Sequence, residues 1–111
     1  MNAAFLCHLA HMKLASWNVN GIRAVVKKDF VEWLNASGFD VIGLQETKAQ
    51  DDQVREALFD LGADWHVHSS SAIKKGYSGT AILSKQEPMS VTHGIGVEGM
   101  DDEGRVTAAD F

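Results

Sequence analysis

Two short apolar runs, KLASWNV at residues 13–19 and FDVIGLQ at 39–45, stand on either side of a segment whose apolar residues recur at helical spacing. Val26, Phe30, Trp33 and Leu34 mark one face of a helix between Ala24 and Ser37. Gly38 is a suitable C-terminal stop. Leu14, Ala15 and Trp17 are residues a buried strand carries, and Val41, Ile42 and Leu44 form a second buried run. Strand, helix and strand in this order form a βαβ unit with parallel strands. Both strands then end on the same side of the sheet, where ligands of such units gather.

The remainder changes character. Asp51 or Asp52 can cap a further helix whose buried stripe is Val54, Ala57, Leu58 and Leu61, with Gly62 ending it. WHVHS, GTAILSK, MSVTHGI and RVTAADF then read as successive short strands, several of them antiparallel, and Pro88 opens one of these runs where a missing N–H is tolerated. The predicted class is α/β (α+β), helical in its first third and strand-rich afterwards. Phe111 falls inside an apparent strand, so the chain is expected to be cut short.

Composition narrows the function. The 111 residues are 45% hydrophobic and 23% charged, as in one soluble globular domain. A net charge of -5 argues against nucleic-acid binding through bulk charge, while leaving room for a local basic groove. The one cysteine, Cys7, permits no internal disulfide and suits a reducing, cytoplasmic setting. No stretch approaches the roughly 18 apolar residues of a membrane helix, so no membrane association is expected. Residues 1–12 are expected to be a disordered N-terminal extension with Met12 as the natural start. Cys7, His8 and His11 lack the scaffold a metal site needs.

The strand ends carry the chemistry. Asn18 and Asn20 close the first, and Gln45, Glu46, Thr47 and Lys48 close the second. A carboxylate directly after Val41, Ile42 and Leu44 is partly desolvated, which is costly unless it is paired. A divalent cation would offset that cost, and one carboxylate with carboxamides and waters suits Mg²⁺ or Mn²⁺. The competing account has Glu46 paired with Lys48, and the two asparagines acting as turn formers before Gly21. Arg23, Lys27, Lys28 and Lys48 surround these ends, and IKKGYSG (73–79) adds Lys74, Lys75 and Tyr77. Such groups can lie along a sugar-phosphate chain or simply solvate loops. His66 and His68 share a strand face, and they and His93 read as structural. The acidic run 98–104 lacks the spacing of a calcium loop and reads as a solvated turn.

ASWNVNGIRA, FDVIGLQETK, GYSGTAILSK and GRVTAADF together resemble the exonuclease III family of apurinic/apyrimidinic endonucleases, within the endonuclease/exonuclease/phosphatase superfamily. The resemblance runs over residues 13–111 and implies the N-terminal half of a four-layered αββα sandwich, incomplete here. It implies a DNA-repair nuclease: Mg²⁺-dependent cleavage of double-stranded DNA 5′ to abasic sites, and work on 3′ ends, by a full-length monomer. By position, Glu46 matches the metal-binding glutamate and Asn18 the asparagine beside metal and scissile phosphate. Asn20 occupies a metal-site position where some members carry aspartate. Arg23, Lys48 and Tyr77 match positions along the DNA backbone. The family's later tyrosine, Gly-Asp-x-Asn and Ser-Asp-His segments are not in this chain, so residues 1–111 alone are expected to be inactive. Two alternatives stay open: a superfamily phosphatase acting on small or lipid phosphoesters, and a non-catalytic binding fragment.

Overall fold

The computed structural model describes residues 12–111. The predicted extension, with Cys7, His8 and His11, lies outside the described residues except for Met12. In chain order the elements are β1 (Leu14–Asn18), α1 (Ile22–Val26), α2 (Phe30–Ser37), β2 (Val41–Gln45), α3 (Asp51–Ala57), a 3₁₀ segment (Phe59–Asp64), β3 (His66–Ser70), β4 (Thr80–Ser84), β5 (Ser90–His93) and β6 (Thr107–Asp110). Among the described residues no helix is long and apolar enough to cross a membrane.

The expected βαβ unit is present, with β1 and β2 parallel and Leu14 opposite Val41. β4 then runs antiparallel to β2, and β3 antiparallel to β4, giving a four-stranded mixed sheet in the order β1-β2-β4-β3. β5 and β6 form a separate antiparallel pair. Alternation decides the faces. Ile42 and Leu44 of β2 and Ala81 and Leu83 of β4 are buried in one core with Ile22, Phe30, Leu34, Val54, Leu58 and Leu61 from the helical layer. Burying each of the larger side chains is worth roughly 1.5–3 kcal/mol. The opposite face carries Ser70 and Thr80, which meet Thr107 of β6.

Three local expectations change. The single helix over 24–37 is two, because Asp29 adopts a left-handed φ of 65° and turns the chain between them. Helix α3 is capped by Gln50, which exchanges side-chain and backbone bonds with Gln53, and not by either aspartate. Strand β1 is an edge strand with one neighbour, so Leu14 is 66% exposed. Trp17 and Trp33 are likewise half-exposed. Their rings stack into a file with Phe30 and Phe39, with centroids 5.2–6.1 Å apart. Gly38 ends α2 as expected, at a φ of 77°.

Candidate functional site

Parallel pairing sets Asn18 opposite Gln45, so two chain segments leave the sheet side by side. They stay joined beyond it. Val19 N–H donates to the Gln45 carbonyl (3.0 Å), Gly21 to Glu46 (2.8 Å) and Ile22 to Thr47 (2.9 Å). From the other flank, Thr47 N–H donates to the Gly79 carbonyl (3.1 Å) and Lys48 N–H to that of Ser78 (2.7 Å). Residues 46–48 are thus held from both sides. Glu46 and Lys48 nevertheless take left-handed φ values of 54° and 53°, a conformation that costs roughly 1–3 kcal/mol per residue and persists where surrounding bonds enforce it.

The side chains sort themselves around this segment. Asn18 Oδ1 accepts the Asn20 N–H (3.0 Å), closing a tight turn. Lys48 Nζ donates to Asn20 Oδ1, and Arg23 Nη2 donates to the Lys48 carbonyl (2.8 Å). Asn18, Asn20, Arg23 and Lys48 therefore form one hydrogen-bonded group. Lys48 turns to Asn20, so the Glu46–Lys48 pair that the sequence also permitted does not form. Among the described residues no side-chain hydrogen bond or ion pair engages the Glu46 carboxylate, which is only partly exposed.

Thr47 between them is 1% exposed, and its Oγ1 has no partner. Gly79 lies directly against it. A Cβ there would clash with Thr47 Oγ1, and the φ of 91° independently demands glycine.

Tyr77 lies one residue before the Ser78 carbonyl that binds Lys48, at the edge of the same segment. Its ring has Lys74 Nζ 5.2 Å and the Arg105 guanidinium 5.5 Å from the centroid. Arg105 Nη2 donates to Tyr77 Oη (2.8 Å), and Arg105 also grips Glu103 Oε2 at 2.9 and 3.1 Å. That bond to Glu103 raises the guanidinium above its already high value. Sequence reading missed Arg105. Its only signal was an arginine standing between an acidic run and a strand.

The acidic run itself is not simply solvated. Asp101 accepts the N–H groups of Ile95 (2.9 Å), Gly96 (2.8 Å) and Val97 (3.1 Å), and these bonds, Ile95 first, hold its carboxyl below the usual carboxylate range. His66 and His68 are half-buried on β3, and His68 Nε2 is buried with no partner.

Among the described residues no three His, Cys, Asp or Glu side chains gather as a metal cluster. With the Asn18 and Asn20 amide oxygens accepting hydrogen bonds, the free Glu46 carboxylate is the hard oxygen donor that this segment offers. It fits a dication that keeps several waters.

The model of the Endonuclease/Exonuclease/phosphatase family matches residues 15–111. An exodeoxyribonuclease of Bacillus subtilis (strain 168) is 57% identical over 102 residues, covering 90% of this chain and 38% of that protein. Among solved structures, an AP endonuclease from Archaeoglobus fulgidus superposes with a TM-score of 0.75 at 31% identity, over 88% of this chain and 36% of its own. A 3′ phosphatase from Neisseria bound to a product DNA hairpin superposes at 0.73 and 33% identity, over 88% and 37%. The chain spans little more than a third of the length of each.

Proposed function

Because this chain belongs to the endonuclease/exonuclease/phosphatase family, we propose that it is the metal- and phosphate-holding part of a DNA-repair nuclease that acts on abasic sites and 3′ ends. The observation that carries this reading is Glu46, an unpaired carboxylate held on a left-handed backbone in the segment that Arg23 and Lys48 tie to Asn20. Bound there, Mg²⁺ or Mn²⁺ would supply Lewis acidity toward a phosphoryl oxygen. The protein's own residues do the rest. Glu46 anchors the ion. Asn18 has its oxygen committed to Asn20, which leaves its amide hydrogens for a phosphate oxygen. Lys48 gives one proton to Asn20 and keeps two for the backbone of the nucleic acid. Asn20 acts through Lys48, orienting the ammonium. Arg23 braces the same segment. Tyr77, with Lys74 and Arg105 against its ring, offers an aromatic surface and positive charge to a sugar-phosphate strand.

The attacking water needs a base. No His, Asp or Glu is hydrogen-bonded to Asn18 or Glu46 among the described residues. We therefore assign to residues 1–111 alone binding without turnover. Enzyme-like cleavage of an abasic duplex by these residues would overturn that assignment.

The test of the metal anchor is Mn²⁺ titration followed by paramagnetic broadening of backbone amides. Amides of 46–48 should broaden first, and Glu46→Gln should weaken the ion roughly tenfold or more. An unchanged affinity in Glu46→Gln would remove Glu46 from the site.

A further inference from the structure

The end of the second strand pair meets the main sheet through four side chains from four strands. Ser70 and Thr80 are cross-strand partners on β3 and β4, and His93 and Thr107 are partners on β5 and β6. Between the two pairs runs a continuous file of hydrogen bonds. Thr107 Oγ1 donates to Ser70 Oγ (2.8 Å), Ser70 Oγ meets His93 Nδ1 (2.9 Å), and Thr80 Oγ1 meets Thr107 Oγ1 (2.9 Å). The direction follows from proton counting. Thr107 spends its hydrogen on Ser70, so Thr80 is the donor in the third bond. Ser70 then has its own hydrogen left for Nδ1 of a neutral His93. The file reads Thr80 to Thr107 to Ser70 to His93, and aligned hydroxyls of this kind strengthen one another.

Both ends matter. Thr80 sits opposite Gln45 in the β2–β4 register, directly before Glu46. The carbonyls of its neighbours Ser78 and Gly79 hold the N–H groups of Lys48 and Thr47. At the other end, His93 lines a cleft of about 210 Å³ with Asp51, Asp101 and Arg105. Asp51 comes from α3, with its Oδ1 taken by Ser69 and Ser71, and the other two from the β5–β6 connection. A protonated ring turns Nδ1 into a donor. Ser70 then accepts from the ring, so the file reverses, Ser70 to Thr107 to Thr80, or the Ser70 hydrogen loses its acceptor.

From this file we infer that His93 is a positioning residue which, through Ser70, Thr107 and Thr80, sets the segment 46–48 and makes ion binding there depend on imidazole charge. The second half of that statement rests on the reading of Glu46 as the metal anchor. The hydrogen-bond file does not.

The experiment is a pH titration of the whole chain by NMR between about pH 8 and 5, where imidazoles change charge. The amides of Ser70, Thr107, Thr80 and Thr47 should shift with the midpoint of the His93 ring. Thr107→Val should abolish the steps at Thr80 and Thr47 while His93 still titrates, and Thr107→Ser should restore them. His93→Gln should flatten all four, which separates the effect from His66 and His68. Flat Thr80 and Thr47 amides in the native chain, or steps that survive Thr107→Val, would overturn the proposal. Mn²⁺ titrations at both pH values complete it. The loss of affinity on acidification should be about threefold or more greater in the native chain than in Thr107→Val. Equal losses would cut the file off from ion binding. If no variant or native chain binds Mn²⁺ at 46–48 while the amide steps are present, the metal reading fails and the file stands.

Discussion

Glu46 and Asp101 are two carboxylates in loops at strand ends, and their surroundings are opposite. Asp101 takes three backbone N–H groups, which fill most of its roughly four acceptor sites. Its loop closes on itself, and Gly94 is packed so tightly that an added Cβ would meet the carboxylate at 2.5 Å. Around Glu46 the backbone is just as firmly tied, yet the carboxylate receives nothing. Asn20 takes the Lys48 ammonium. One acid has been used up by the fold. The other has been positioned by the fold and left open, which is the arrangement a ligand site needs. The same chain therefore shows how a structural acid and a functional one differ: by who donates to them, not by their residue type or by how rigid the backbone is.

The strongest way to break the comparison is to loosen the frame around Glu46. Gly79→Ala combines a left-handed φ with a clash against buried Thr47, and should cost roughly 2–3 kcal/mol in urea unfolding. It should abolish Mn²⁺-dependent broadening at 46–48 in whatever folded protein remains. Survival of that broadening would mean the segment does not need its Gly79 flank.

A direct exchange of roles comes next. Asp101→Asn keeps one acceptor oxygen, loses the charge and should lower Tm, whereas Glu46→Gln should leave Tm unchanged within error. The pH dependence separates them further. Asp101 has its carboxyl depressed when folded, so its contribution is fully present above the unfolded value of about 3.8 and is lost as pH falls through the lower folded value. The acid limb of the native chain's stability curve should be shallower in Asp101→Asn. An identical limb would mean that the three backbone bonds do not discriminate the charged form.

The smallest effect sharpens the picture from inside the loop. Thr47→Val removes a buried hydroxyl that has no partner and keeps the shape, so stability should stay level or rise by up to about 1 kcal/mol. A clear loss would show that the hydroxyl has a partner in solution, a bound water or an ion.

Periodicity along the chain was sufficient for the elements and for one decisive placement. The spacing of apolar residues foretold parallel β1 and β2, the helical layer and the short strands. It therefore brought Asn18 and Glu46 to the same end of the parallel pair. Residue chemistry at those ends was enough to nominate a hard oxygen site. Tertiary structure alone decided which of the nominated groups remain free. Lys48 reaches Asn20 across 28 residues, Arg105 reaches Tyr77 across 28, and Thr107 reaches Ser70 across 37. Register sets the sheet contacts, and left-handed residues such as Asn20, Lys48 and Ser78 shape the loops, none of which the apolar pattern records. Spacing encodes the period of a strand or helix. Whether a carboxylate finds a donor is settled by residues far away in sequence, once the register has set their distance.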